Sequence, residues 1–220
     1  MTISENIKFI QDQLPAHVKL VAVSKTRTKD EILAAYQGGQ RIFGENKVQE
    51  LTGKWQELPK DIDWHFIGHL QSNKVRQLVP IVSLIHGVDS FSLLSAINKE
   101  AEKCNRIVPV LLEFHIAAEE SKFGLTLESA EAILSMPETN ELNHISINGV
   151  MGMATFTNDV ALIKSEFKQL KEIFSLLKVK YFADNRHFCE ISMGMSDDYL
   201  VAIAEGSTMV RIGSKIFGPR

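Results

Sequence analysis

Cysteine is scarce: Cys104 and Cys189 are the only two in 220 residues. They are too few and too far apart for a metal-binding pair motif, and they read as free thiols of a reducing compartment. No apolar run is long enough to span a bilayer. The first fourteen residues include Glu5 and Asp12 and lack the apolar centre of a signal peptide. The expectation is a cytoplasmic protein with no membrane partner. With a net charge of −3 and basic residues spread along the chain, a nucleic-acid partner is not expected either. There is no Pro-, Ser- or Gly-rich linker and no low-complexity segment, so residues 1–220 read as a single domain. Also missing are the Gly-x-Ser-x-Gly elbow, the Gly-x-Gly-x-x-Gly fingerprint and the phosphate loop of nucleotide hydrolases.

What is present is alternation. Strand-like runs occur at residues 18–24, 41–43, 64–67, 82–86, 109–115, 144–150, 188–193 and 208–212. Between them lie amphipathic stretches at 29–36, 47–57, 72–78, 91–104, 127–134, 159–177 and 198–204. The stretch from Asp159 carries Val160, Ile163, Phe167, Leu170, Ile173, Phe174 and Leu177 at three- and four-residue spacing. Eight such repeats predict the α/β class, and a (β/α)8 TIM barrel over an open doubly wound sheet. Residues 2–13 predict an extra N-terminal helix. The seventh strand has a rival at residues 181–184.

In such a barrel the residues just after each strand converge on one face. Here they are small and polar: Lys25, then Gly44, Glu45 and Asn46, and Gly68 with His69. Asp89, Ser121, Lys122, Ser192, Arg211, Gly213 and Ser214 follow. This suits a small anionic ligand. Lys25 ends a run of β-favouring residues, and an amine held there loses part of its hydration, which favours its neutral, nucleophilic form. An aldehyde or ketone is the matching electrophile; the plainer alternative is a lysine reaching into solvent. Residues 206–214 and 192–196 supply the glycines and serines of a phosphate cradle in the loops after strands seven and eight, or else ordinary turns. His65 and His69 have the spacing of a zinc helix, but residues 64–68 read as strand and turn, so no metal site is expected.

Six segments together carry a resemblance. They are Ala22-Val23-Ser24-Lys25, Phe43-Gly44-Glu45-Asn46-x-Val48-Gln49-Glu50, the unbroken string over residues 64–74, Glu120-x-Lys122-x-Gly124, Ser192-Met193-Gly194-Met195-Ser196-x-Asp198, and residues 206–218. In family order and along nearly the whole chain, they resemble the pyridoxal 5′-phosphate (PLP) homeostasis proteins. The resemblance implies a barrel like the N-terminal half of alanine racemase, the PLP fold type III architecture. It implies PLP as an internal aldimine on Lys25, Arg211 against the pyridine nitrogen, Asn46 beside the ring, and Ser192, Gly213 and Ser214 on the phosphate. A cationic arginine disfavours pyridine protonation, and an unprotonated ring is a weaker electron sink. Lys47 departs from the family's usual aromatic residue, Phe114-His115 from a common Val-Asn, and residues 153–156 match loosely.

The related racemases add a β-rich domain that supplies a tyrosine base, for which a chain stopping at Arg220 leaves no room. Tyr36, Tyr181 and Tyr199 offer no obvious substitute, and no residue is assigned a catalytic role. The expected function is therefore PLP holding in support of PLP and amino-acid homeostasis, without robust turnover, with PLP and PLP-dependent apoenzymes as the partners implied. An amino-acid racemase with a weak or partner-supplied second base is the alternative. An aldolase-like barrel using Lys25 on a sugar phosphate is a third.

Overall fold

A computed structural model of the chain describes residues 2–119 and 123–219. Glu120, Ser121 and Lys122, three of the residues singled out above, lie outside the described residues. The strands are β1 Lys19–Val23, β2 Ile42–Glu45, β3 Asp63–Phe66, β4 Leu84–Val88, β5 Val108–Phe114, β6 Ile145–Gly152, β7 Glu190–Ser192 and β8 Met209–Ile212. They pair in sequence order, all parallel, and β8 returns to β1 to close a (β/α)8 barrel.

The helices between strands are α2 Lys29–Gln37, α3 Val48–Glu57, α4 Val75–Leu78, α5 Phe91–Lys103, α6 Leu127–Leu134, α7 Val160–Tyr181 and α8 Tyr199–Ala204, with α9 Ser214–Phe217 after β8. The expected N-terminal helix is α1, Ile3–Gln11, which Thr2 and Glu5 start with a capping box. It packs on α2 and α9, outside the strands that close the barrel.

The core has two parts. Phe43, Trp64, Phe66, Phe114, Phe167 and Phe188 belong to the large apolar layer joining strands and helices. A smaller cluster, Val21, Leu84, Leu111, Met151 and Met209, alternates with these along the strands and fills the barrel's inside. Strand register puts polar residues on that inner face too: Arg211 beside Val21, Ser192 beside Met151, and Met151 beside Glu113.

Several boundaries differ from expectation. β2 runs on through Gly44 and Glu45, so Glu45 is a buried strand residue and not part of the loop after it. β4 lies two residues later than expected, and residues 72–78 divide into a 3₁₀ turn, Ser72–Lys74, and the short α4. α7 continues through Tyr181, which removes the rival to β7. In β6 the register shifts at Asn148, and Gly149 takes φ +154°. A Cβ on Gly149 would lie 1.9 Å from the Glu190 carbonyl oxygen, so this close strand approach requires glycine.

Candidate functional site

A cleft of about 810 Å³ opens at the carboxyl ends of the strands. Lys25 enters it from a pinned turn. Arg27 N–H donates to the Ser24 carbonyl at 3.0 Å, and Thr26, at φ 65°, donates its N–H to Glu50 Oε2 at 3.0 Å. Ser24 is fully buried, and its Oγ donates to Glu45 Oε1 at 2.7 Å. Lys54 of α3 spans the same pair, its Nζ 2.9 Å from the Ser24 carbonyl and 2.7 Å from Glu45 Oε1. Burial pushes the Glu45 carboxyl up against the lowering effect of Lys54. Lys25 itself is half-buried and lines the cleft.

Arg211 comes from β8, next to β1. Its Nη1 donates to the Ser192 carbonyl at 2.8 Å and to Ser192 Oγ at 2.6 Å, and Nη2 donates to the Gly152 carbonyl at 3.1 Å. Among the described residues, two of its five N–H groups then remain for a cleft ligand. Burial pushes this guanidinium down to about 10, with Asp198 and Glu113 acting the other way.

Behind Arg211 runs a buried chain. Since Ser192 Oγ accepts from arginine, its O–H is left to donate to His86 Nδ1 at 3.0 Å, and His86 Nε2 then donates to His65 Nδ1 at 3.0 Å. Burial holds His86 well below the usual histidine range, and His65 down at about 3. Both imidazoles are neutral. His65 thus belongs to the core while His69, its partner in the zinc-like spacing, lines the cleft 3.7 Å from Asp89.

The loops after β7 and β8 are laced together. Gly194, at φ +95°, accepts the Arg211 N–H at 2.9 Å; Asp198 Oδ1 accepts the Met195 N–H at 2.5 Å; and Gly213 N–H donates to Ser196 Oγ at 3.3 Å.

Of the residues named from sequence, Lys25, Asn46, Arg211, Gly213 and Ser214 line the cleft together. Ser192 does not. It is fully buried beneath Arg211, and the cleft-lining serine of its loop is Ser196. Asn46 is held against Gly68, where a Cβ would come 2.5 Å from the Asn46 carbonyl oxygen.

Among the cleft residues not singled out beforehand is Glu113. Glu113 of β5 is 4% exposed, and burial, reinforced by Asp89 and opposed by Arg211, pushes its carboxyl up to about 7. A lone acidic residue in an otherwise apolar run of seven was its only sequence signal. At the mouth, Phe123 stacks on His69 at 4.3 Å, and Phe156 and Val160 add exposed apolar surface.

The alanine racemase N-terminal domain family matches residues 1–220. The pyridoxal phosphate homeostasis protein of Aquifex aeolicus (strain VF5) is 38% identical over 203 residues, covering 92% of this chain and 87% of that protein. Its counterpart in Haemophilus influenzae is 36% identical over 233 residues, covering 100% and 97%. The chain belongs to the pyridoxal phosphate homeostasis family. The family's architecture extends to solved structures. PipY of Synechococcus elongatus PCC7942 without PLP gives a TM-score of 0.92 at 35% identity, covering 99% of this chain and 100% of that one. PipY with PLP bound gives 0.89 at the same identity. Alanine racemase of Clostridium difficile 630 covers all of this chain with 57% of its own length, at a TM-score of 0.76 and 15% identity, a likeness of fold alone.

Proposed function

We propose that the cleft holds PLP for PLP homeostasis, and that the protein is a holder of the cofactor more than a catalyst. The observation that carries this is the pairing of Lys25 and Arg211. They come from the adjacent strands β1 and β8 and share one cleft, whose remaining polar lining suits an anion at one end. The residues fit the group. Lys25 supplies the amine for the cofactor's aldehyde. Arg211, permanently a donor and held by Ser192 and Gly152, would offer an N–H to the ring nitrogen, which would accept it. The hydroxyls of Ser196 and Ser214 and the backbone at Gly213 serve the phosphate, a role that passes from Ser192 to Ser196. Asn46, which lines the same cleft, would lie beside the ring.

When bound, PLP supplies an aldehyde that captures amines and a ring that withdraws electrons. This chain's own residues limit the second property. Arg211 is already protonated and cannot accept a proton from the ring nitrogen, and its positive charge would disfavour protonation there. The tyrosines are committed elsewhere: Tyr36 donates to Asp61, Tyr199 OH lies 3.0 Å from Gln13 Oε1, and Tyr181 OH lies 3.1 Å from Ser135 Oγ. None of the three lines the cleft. Delivery of PLP to apoenzymes belongs to this reading as its consequence for other proteins.

The test is an absorption spectrum of the protein with PLP, followed by borohydride reduction and peptide mapping. A yellow protein giving a pyridoxyl group on Lys25, and no such group in Lys25→Ala, is the expected result. A colourless protein with no adduct under excess PLP would sink the proposal.

A further inference from the structure

We propose that the β3–β5 side of the cleft is a subsite for a primary ammonium group, with Glu113 as the carboxylate that holds it and takes its proton. The inference rests on the PLP reading above, because an incoming amine needs an aldehyde-bearing partner at Lys25 to be of use.

The cleft has two unlike halves. Strands β7, β8 and β1 bring Arg211, Lys25, Ser196 and Ser214. In a closed eight-strand barrel β5 lies across from β1, so Glu113 faces the lysine side from the far wall. Glu113 is 96% buried by its 4% exposure, lines the cleft, and makes no side-chain hydrogen bond or ion pair among the described residues. A carboxyl set this deep, with only the cleft to solvate it, has hydrogen-bonding capacity that a cleft ligand can fill.

Its surroundings define which ligand. A Cβ on Gly87 of β4 would lie 3.0 Å from Glu113 Oε2 and 2.7 Å from the Gly68 carbonyl oxygen. Glycine at 87 therefore keeps open a space bordered by two acceptors. Asp89, at the end of β4, adds negative charge, with His69 as its neighbour at 3.7 Å. Acceptors and negative charge together call for a cationic donor, and an ammonium with three N–H groups meets both needs.

The same carboxyl explains the proton. An ammonium must lose H⁺ before its nitrogen has a lone pair to offer; R–NH₃⁺ and the Glu113 carboxylate become R–NH₂ and the Glu113 carboxylic acid, with no other bond changed. A carboxyl raised to about 7 is a far better acceptor than one near its usual value, because the gap to the amine is narrower. The charged groups around Glu113 are Asp89, which raises it, and Arg211 of β8, which lowers it. β4 adds the neutral His86, and β6 has no titratable residue. Such a group could be an amino acid or the end of a lysine side chain. They share the ammonium and differ in the carboxylate, which Glu113 and Asp89 would repel.

The experiment begins with wild-type protein and PLP, checking for the Lys25 adduct. Then, in cofactor-free protein, the ¹³C shift of the Glu113 carboxyl is titrated with pH, its signal assigned by its loss in Glu113→Gln. Ammonium binding favours the carboxylate, so n-butylamine should lower the midpoint by about half a unit or more. L-Alanine at equal concentration distinguishes the sources: a larger effect from n-butylamine assigns the subsite to lysine-like amines, and a larger one from alanine to amino acids. With PLP loaded, Glu113→Gln should slow exchange with the effective amine about tenfold and flatten its pH dependence near neutrality. Glu113→Asp should restore part of the rate and so separates this role from a packing defect. A midpoint that neither amine moves, in protein that forms the Lys25 adduct, overturns the ammonium subsite alone. A missing adduct overturns the PLP reading instead.

Discussion

Lys54 Nζ sits between the Ser24 carbonyl and Glu45 Oε1, and so ties α3 to the residue just before Lys25. Glu45 Oε2 is buried with no partner, so this carboxylate depends on one ammonium. Lys54→Met should destabilise the fold by about 3 kcal/mol in urea titration, and Glu45→Gln added to it should recover part of that loss. Glu113 gives a pH signature of its own. Its folded value, about 7, lies above the 4.5 of an unperturbed glutamate, so the stability it contributes is complete below pH 4.5 and is lost as pH rises to about 7. The span corresponds to about 3 kcal/mol. Glu113→Gln should remove that decline, read as midpoint stability against wild type between pH 4.5 and 8. The buried His65 and His86 act oppositely, since their stability is present above 6.5 and is lost as pH falls. Lys25 and Arg211 were legible as cleft residues because the carboxyl ends of barrel strands converge on one face, and the family resemblance pointed to both. Ser192 and Ser196 were not distinguishable, because Gly194 at φ +95° reverses the chain between them and decides which one meets the cleft. Glu113 was illegible for a different reason: a strand buried on both faces shows no alternation to reveal which side faces a ligand.

At the scale of elements, glycine geometry sets the sharpest constraint. Gly149→Ala would press a Cβ into the Glu190 carbonyl at the β6–β7 contact, and β7, only three residues long, has little other pairing to lose. We expect at least about 3 kcal/mol of destabilisation in denaturant unfolding, far above the roughly 1 kcal/mol expected for losing the Thr28 cap of α2 in Thr28→Ala. Most elements could be read from the alternation of strand-like and amphipathic stretches, most clearly the long α7. The boundaries that moved share a cause. Gly44-Glu45 looked like a loop because a strand interior seldom holds a charge, and the compensating Lys54 stands on the next helix, where no local pattern ties it to Glu45. β4 shifted because the apolar run before it, Val79 and Val82, packs in the helix layer and not in the strand.

For the whole molecule, ligand binding and stability are linked. PLP at 100 times its dissociation constant should add about 2.7 kcal/mol, which for a chain of this size raises the melting temperature by about 5–10 °C. Lys25→Ala should lose most of that rise in a thermal scan. Closure has a temporal side as well. During synthesis the lysine strand emerges well before the strand bearing Arg211. A nascent chain halted short of β8 has the proposed nucleophile, but lacks the guanidinium of Arg211 and the Gly213-Ser214 turn. On the proposed reading, retaining the cofactor requires β1 and β8 to have met, so that in a cell the occupied fraction of this protein would report how many of its copies had closed the barrel.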